Sequence, residues 1–152
     1  MTKIINLDMD GTFVNLYGVD DWLFDIINRN TRPYEIAKPL VNLSALARVL
    51  NRKQREGYQI NIISWTAKNS PREYNKKVEE AKRTWLAKHL PSVKFNNINI
   101  VDYGIPKHTV SQGYLFDDEE PNRKAWGKGA YSAEDLVKKI KNLGWQSTNR
   151  ML

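Results

Sequence analysis

The stretch INLDMDGTF, residues 5–13, is an apolar run that ends in two aspartates, Asp8 and Asp10, one residue apart and followed by Gly11. Two further acids, Asp117 and Asp118, close a second apolar run, GYLF, near the other end of the chain. Between them Ser64 closes the run QINIIS, and Lys107 stands ten residues before Asp117. Carboxylates gathered in one crevice raise one another's pKa and oppose folding unless a cation joins them. There is no cysteine, which excludes thiolate sites, and His89 and His108 are too few for a histidine-rich zinc centre. A metal here must therefore take oxygen ligands. Magnesium suits that set, because it is a hard ion bound by one or two carboxylates, waters and a substrate phosphate. With Ser64 and Lys107 as donors, the group fits a phosphate monoester.

Those residues meet only if the elements between them bring them together. Residues 3–8 read as a buried strand, 58–64 as a second, and 97–102 and 113–118 as two more, each short and bounded by turn residues. Helical spacing predicts a short helix over 20–30, carrying Trp22, Leu23, Ile26 and Ile27 on its apolar face. Pro33 and Pro39 then argue for a loop, followed by a helix from near Leu40 to Gly57 with Leu40, Leu43, Leu46, Ala47 and Leu50 on one face. Residues 71–90 repeat apolar positions at Tyr74, Val78, Ala81 and Trp85, with His89 simply riding on that helix. Ser132 and Asp135 have the spacing of a capping box for a last helix that ends at Gly144. Strands alternating with helices predict an α/β fold, a doubly wound, mainly parallel sheet covered on both faces. In such sheets ligands bind outside the carboxyl ends of the strands, where Asp8, Ser64, Asp117 and Asp118 all fall.

Each place also has an ordinary explanation. Asp-Gly is a common turn, DDEEPN reads as a solvated acidic loop, and one serine or one lysine carries little information alone. The joint order carries more. An apolar strand ending DMDGT, a second ending in Ser, a downstream Lys and an apolar strand ending DD together resemble the haloacid dehalogenase superfamily of phosphohydrolases, over most of the chain from Asp8 to Asp118. DMDG and the Lys107 to Asp117 interval look most like the small 5'(3')-deoxyribonucleotidases within it.

The resemblance implies a Rossmann-like core with a minimal cap, one domain over residues 1–152 and a small flap at about 13–39. It makes Asp8 the nucleophile that forms an aspartyl-phosphate and Asp10 the general acid and base. Magnesium would be held by Asp8, Asp117 and the backbone carbonyl of Asp10, with Asp118 orienting waters around it. Ser64 and Lys107 would bind the phosphoryl oxygens, each such donor being worth ~2.7–4 kcal/mol in the barrier. Gly11 would permit the turn, Thr12 would fix it, and Tyr17 in the flap is the preferred contact to the leaving group, ahead of Leu16 and Trp22. The expected partner is a phosphorylated small molecule, a nucleotide first, with a polynucleotide end such as a 3'-phosphate as the alternative.

The remaining sequence features bound these expectations. A chain of 152 residues suits one domain that buries about 70% of its unfolded surface. With 41% hydrophobic residues, five Trp and seven Tyr, it is globular rather than disordered. No ~18-residue apolar stretch for a membrane span is present, so a cytoplasmic protein is expected. The net charge of +7 attracts anions, but acids interleave with bases in REYNKKVEEAKR and no arginine-rich run marks a non-catalytic nucleic-acid binder. A phospho-accepting receiver domain, the other rival, places its paired acids first and its acceptor aspartate on a middle strand. Oligomeric state is left open by the sequence.

Overall fold

The computed structural model describes residues 1–144; the end of the expected domain, 145–152, lies outside the described residues. Five strands, β1 (Ile4–Leu7), β4 (Gln59–Trp65), β5 (Asn97–Val101), β6 (Tyr114–Phe116) and β7 (Ala130–Tyr131), form one sheet in the order β5-β4-β1-β6-β7. Every neighbouring pair is parallel, and helices lie on both sides, as the alternating pattern predicts. Side chains alternate across a strand. From β1 and its neighbours Ile5, Leu7, Ile60, Ile62 and Phe116 join the main core with Leu46 and Leu50 of α3 (Leu43–Arg55), Trp85 and Leu86 of α4 (Arg72–His89), and Leu136 and Ile140 of α6 (Leu136–Lys141).

Between those apolar positions β1 and β4 carry buried asparagines. Asn6 and Asn61 stand side by side, Asn61 and Asn97 likewise. Asn97 Nδ2 donates to Asn61 Oδ1 at 3.2 Å, and Asn61 Nδ2 to Asn6 Oδ1 at 3.3 Å. Asn6 Nδ2 in turn donates to the carbonyls of Gln112 and Tyr114. The buried amides thus satisfy one another and tie β1 to the segment that leads into β6.

The chain runs outward from β1 to β4 and β5, then returns to the far side of β1 for β6 and β7. The order reverses at β1, which opens a crevice beyond its carboxyl end and that of β6. Over this edge a two-stranded antiparallel pair, β2 (Val14–Asn15) and β3 (Lys38–Pro39), frames the 13–39 segment. The segment contains α1 (Trp22–Ile27) and α2 (Arg32–Ile36). It is pinned to α4 twice: Tyr74 Oη donates to the Asn30 carbonyl at 2.8 Å, and Trp85 Nε1 to the Ala37 carbonyl at 2.7 Å.

Several elements differ from the sequence expectations. The loop expected around Pro33 and Pro39 contains α2, because Pro33 stands in its first turn, where the missing N–H costs nothing. Lys38–Pro39 then pairs as β3. The next helix begins at Leu43, not Leu40; Asn42 caps it by accepting from Ala45 N at 3.0 Å, and Leu40 is exposed. On α1 only Ile26 is buried, packing with Trp22 into a second cluster beside Tyr34, Tyr74 and Val78, while Leu23 and Ile27 are more than half exposed. The capping box does not form. Asp135 sits at φ +51° with no side-chain cap, and Ser132 instead accepts from Lys139 Nζ at 2.8 Å, so the last helix starts later. DDEEPN is not a loop throughout, since α5 (Glu120–Trp126) starts within it, again with a proline in its first turn.

Candidate active site

Register places the acids. Leu7 pairs with Phe116, so the next residues, Asp8 and Asp117, leave adjacent strand ends side by side. Asp8 is held by its own N–H donating to the Phe116 carbonyl at 3.0 Å, and Asp117 by donation to the Tyr131 carbonyl at 3.0 Å. Both are buried, Asp117 fully. Carboxylate oxygens of Asp8, Asp117 and Asp118 lie within 4.8 Å of one another, so acids from the two ends of the chain share one point.

The DGT turn makes that approach possible. Gly11 has φ +84°, and a Cβ built there would overlap the Asp118 carboxylate. Thr12 joins the two acidic segments: its Oγ1 donates to Asp8 Oδ2 at 2.9 Å and accepts from Asp118 N at 3.2 Å. It faces the carboxylates and not the cavity above them.

Lys107, on a 3-10 turn over Lys107–Thr109, reaches in from the opposite side and is 4% exposed. Its Nζ donates to Asp8 Oδ1 at 2.9 Å and to Asp117 Oδ2 at 2.6 Å. Asp117 also accepts from Glu119 N and Asn122 Nδ2. Asp10 is turned away from this cluster. Its Oδ2 accepts at 2.7 Å from Lys82 Nζ, which also donates to Ser64 Oγ at 2.7 Å. The structure thus brings Asp8, Asp117, Asp118 and Lys107 into one group, and Asp10 with Ser64 into a second beside it.

Titration follows from this crowding. Burial, then the bond and charge of Asp8, pushes Asp118 up to about 8. Burial and the Asp8 charge, against Lys107, bring Asp117 to about 6. Burial also raises Asp10, with Lys82 opposing it. Burial works to lower Lys107, but Asp8 and Asp117 outweigh it and the pKa rises. When all are ionised, the four aspartates face two ammonium groups and are two charges short of neutrality. Three oxygen ligands so placed fit a hard divalent cation, and magnesium is compatible with them.

Above these groups lies a cavity of about 510 Å³ whose floor includes Asp8, Asp10, Ser64 and Lys107. Aromatic pairs form its walls: Tyr17 meets Trp22 edge-on with ring centroids 5.0 Å apart, and Trp65 tilts against Tyr103 at 4.9 Å. Tyr17 lines the cavity, and burial together with Asp10 raises its phenol. Sequence reasoning missed the wall residues Trp65 and Tyr103, and with them Thr66 and Lys82. Thr66, 6% exposed, lines the cavity with a buried Oγ1 that has no hydrogen-bond partner among the described residues. Lys82 was legible in principle, as a lysine among Val78, Ala81 and Trp85 on the buried stripe of α4.

Solved structures with this architecture include two D,D-heptose 1,7-bisphosphate phosphatases. The one from Burkholderia thailandensis has a TM-score of 0.55 at 12% identity, over 96% of this chain and 99% of its own. The one from B. bronchiseptica, complexed with magnesium and phosphate, has a TM-score of 0.57 at 11% identity, over 95% and 99%. At such identity the likeness is one of fold, a Rossmann-like α/β core that this chain shares with these phosphatases. No family model matches the chain, and no curated protein matches it in sequence. No helix among the described residues is long and apolar enough to cross a membrane.

Proposed function

We propose that this protein is a magnesium-dependent phosphomonoesterase that works through a phosphorylated Asp8 and takes a nucleotide as substrate. The observation that carries the reading is the convergence of Asp8, Asp117 and Asp118 on one point beside Lys107, at the floor of an aromatic-walled cavity. A carboxylate oxygen of Asp8 attacks phosphorus, the ester P–O bond breaks, and its electron pair leaves with the alcohol oxygen, which takes a proton from Asp10. Water then attacks the aspartyl-phosphate while Asp10 takes its proton back, releasing inorganic phosphate and free Asp8. Lys107 and the Ser64 hydroxyl hold the phosphoryl oxygens through both displacements. Asp8, Asp117 and the Asp10 carbonyl would hold magnesium, with Asp118 beside it, and the bound ion would offset negative charge as phosphorus is attacked.

The nucleotide is favoured by the walls. Trp65, Tyr103, Tyr17 and Trp22 offer flat apolar faces, on which a base stacks for about 1–3 kcal/mol. The unpartnered Thr66 hydroxyl adds a polar contact for the leaving portion. A polynucleotide end is the second reading, favoured by the net charge of +7. The test is phosphate release from nucleoside monophosphates, sugar phosphates and 3'-phosphorylated oligonucleotides, with a chelator and with Asp8→Asn. Turnover of a nucleoside monophosphate that needs magnesium and is lost in Asp8→Asn is expected. Activity that survives chelation, or near wild-type activity in Asp8→Asn, refutes the mechanism; preference for sugar phosphates refutes the substrate.

A further inference from the structure

Lys82 sits midway along α4, four residues after Val78 and three before Trp85, on the face that points into the protein, and is 2% exposed. Its Nζ makes three contacts of equal length: Asp10 Oδ2, Ser64 Oγ and the Trp65 carbonyl, each at 2.7 Å. The Tyr34 ring lies across from it, with its centroid 5.3 Å from Nζ. An ammonium group has three N–H donors and no acceptor. All three are committed to protein atoms, so this lysine has none left for a substrate. A methionine would fill the same space among apolar neighbours without the cost of burying a charge. What the lysine adds is the joining of three acceptors from two places in the chain, Asp10 and the end of β4.

We infer that Lys82 is a positioning residue for proton transfer to the leaving group. The inference rests on the reading of Asp10 as the acid and base. With Oδ2 of Asp10 held by Lys82, proton exchange with the leaving oxygen falls to Oδ1, and the carboxyl plane is fixed for it. The same ammonium occupies a lone pair of the Ser64 hydroxyl, which leaves the Ser64 proton to donate to a phosphoryl oxygen. Lys82 thus locks the acid and one phosphate donor in a single register, from a helix that touches neither phosphorus nor the cluster of Asp8, Asp117 and Asp118. Misplacing a catalytic group by as little as about 1 Å costs on the order of 100-fold in rate, which is the scale such a lock works on.

The test separates a positioning role from a structural one by the leaving group. Phenyl phosphate expels a basic phenoxide that needs a proton, whereas p-nitrophenyl phosphate expels an anion stable without one. The quantity read is kcat/KM, which reports the steps up to departure of that group and excludes hydrolysis of the phosphorylated enzyme. Lys82→Met is expected to lower kcat/KM for both phosphates through Ser64, and for phenyl phosphate by about 100-fold more than for p-nitrophenyl phosphate, the scale of general acid catalysis. In an Asp10→Asn background the added Lys82→Met change has little further effect on that ratio, as expected of two residues acting through one proton. Lys82→Arg, which keeps a buried cation but not the three-way geometry, shifts the ratio in the same direction by less and carries the test if the methionine variant does not fold. An equal loss on both phosphates, or none, overturns the inference and leaves the phosphatase reading intact. If the wild-type protein with magnesium turns over neither, the phosphatase reading falls and this inference with it.

Discussion

Replacing Lys107 with methionine removes the ammonium that bridges Asp8 and Asp117 at 2.9 and 2.6 Å. The side chain is about as long, so the space stays filled while the charge and two hydrogen bonds vanish. Both aspartates are buried, and Asp118 stands against them, so the variant holds three carboxylates with no cation between them. Removing one partner of a buried ion pair costs about 3–5 kcal/mol, because the charge left behind has neither water nor a counterion. That is a large part of the roughly 5–15 kcal/mol that holds a typical domain together. For a chain of this length it corresponds to about 6–20 °C in the melting midpoint. Magnesium should then restore more stability to the variant than it adds to the wild type, since the ion enters a site no longer shared with an ammonium. At 100-fold over its dissociation constant a ligand contributes about 2.7 kcal/mol. Paired melts with and without magnesium at pH 7.5 measure both effects. A metal-free variant within about 1 kcal/mol of wild type, or the same magnesium increment in the two proteins, would show that Lys107 does not balance these acids.

Other expectations follow from the same contacts. Asp117 and Asp118, raised to about 6 and about 8, hold protons in the folded chain that the unfolded chain has released, so ν_U is below ν_N. Their contribution is therefore fully present below about pH 4 and is lost as pH rises through those values, so metal-free melting midpoints should fall from pH 5 to pH 8; a rise over that interval contradicts the assignment. Magnesium binds the deprotonated acids, and its stabilising increment should grow over the same interval. Gly11→Ala forces a Cβ into the Asp118 carboxylate at φ +84°, and calorimetric titration should find magnesium affinity reduced about tenfold or more, since disturbing groups around a metal site costs 10–100-fold. Thr66→Val fills the same volume without the hydroxyl, and should raise KM for the preferred nucleotide while changing kcat/KM for p-nitrophenyl phosphate less than about threefold, because it lines the wall and not the phosphate floor.

The sheet strands and the longest helix were legible because their signals are local. Apolar runs bounded by turn residues gave β1, β4, β5 and β6 to within a residue or two, and the repeat through Tyr74, Val78, Ala81 and Trp85 gave α4. The two-residue strands were not legible, because each forms through a partner distant in sequence. Val14–Asn15 is a strand only because Lys38–Pro39 pairs with it, and Ala130–Tyr131 only because it lies beside β6. A proline also carries two meanings: Pro33 argued for a loop, yet it stands in the first turn of a helix, as Pro121 does in α5. The aspartates, Ser64 and Lys107 could be named from spacing, but their division into two groups could not. It depends on a side chain from the middle of α4 reaching Asp10.

That division bears on how one short motif can supply two different carboxylates. Asp8 and Asp10 are separated by a single residue, yet each is held by a different buried lysine, Lys107 for Asp8 and Lys82 for Asp10. Asp8 accepts in addition from Thr12, and both of its oxygens are engaged by donors. Asp10 has burial working against its charge, with Lys82 as the opposing influence. Environments that separate two carboxylates are how a nucleophile and an acid come to share a site. In the proposed mechanism, one lysine serving both would let a proton moved at Asp10 change the charge balance at Asp8 directly. The two lysines come from separate elements, a turn before β6 and a helix after β4, although Asp10 still feels the charges of Asp8 and Lys107. The cluster joined by Lys107 still carries an excess of negative charge that a divalent ion would offset, whereas the Asp10 and Lys82 pair is neutral without one. Loss of metal should therefore disturb the first group far more than the second.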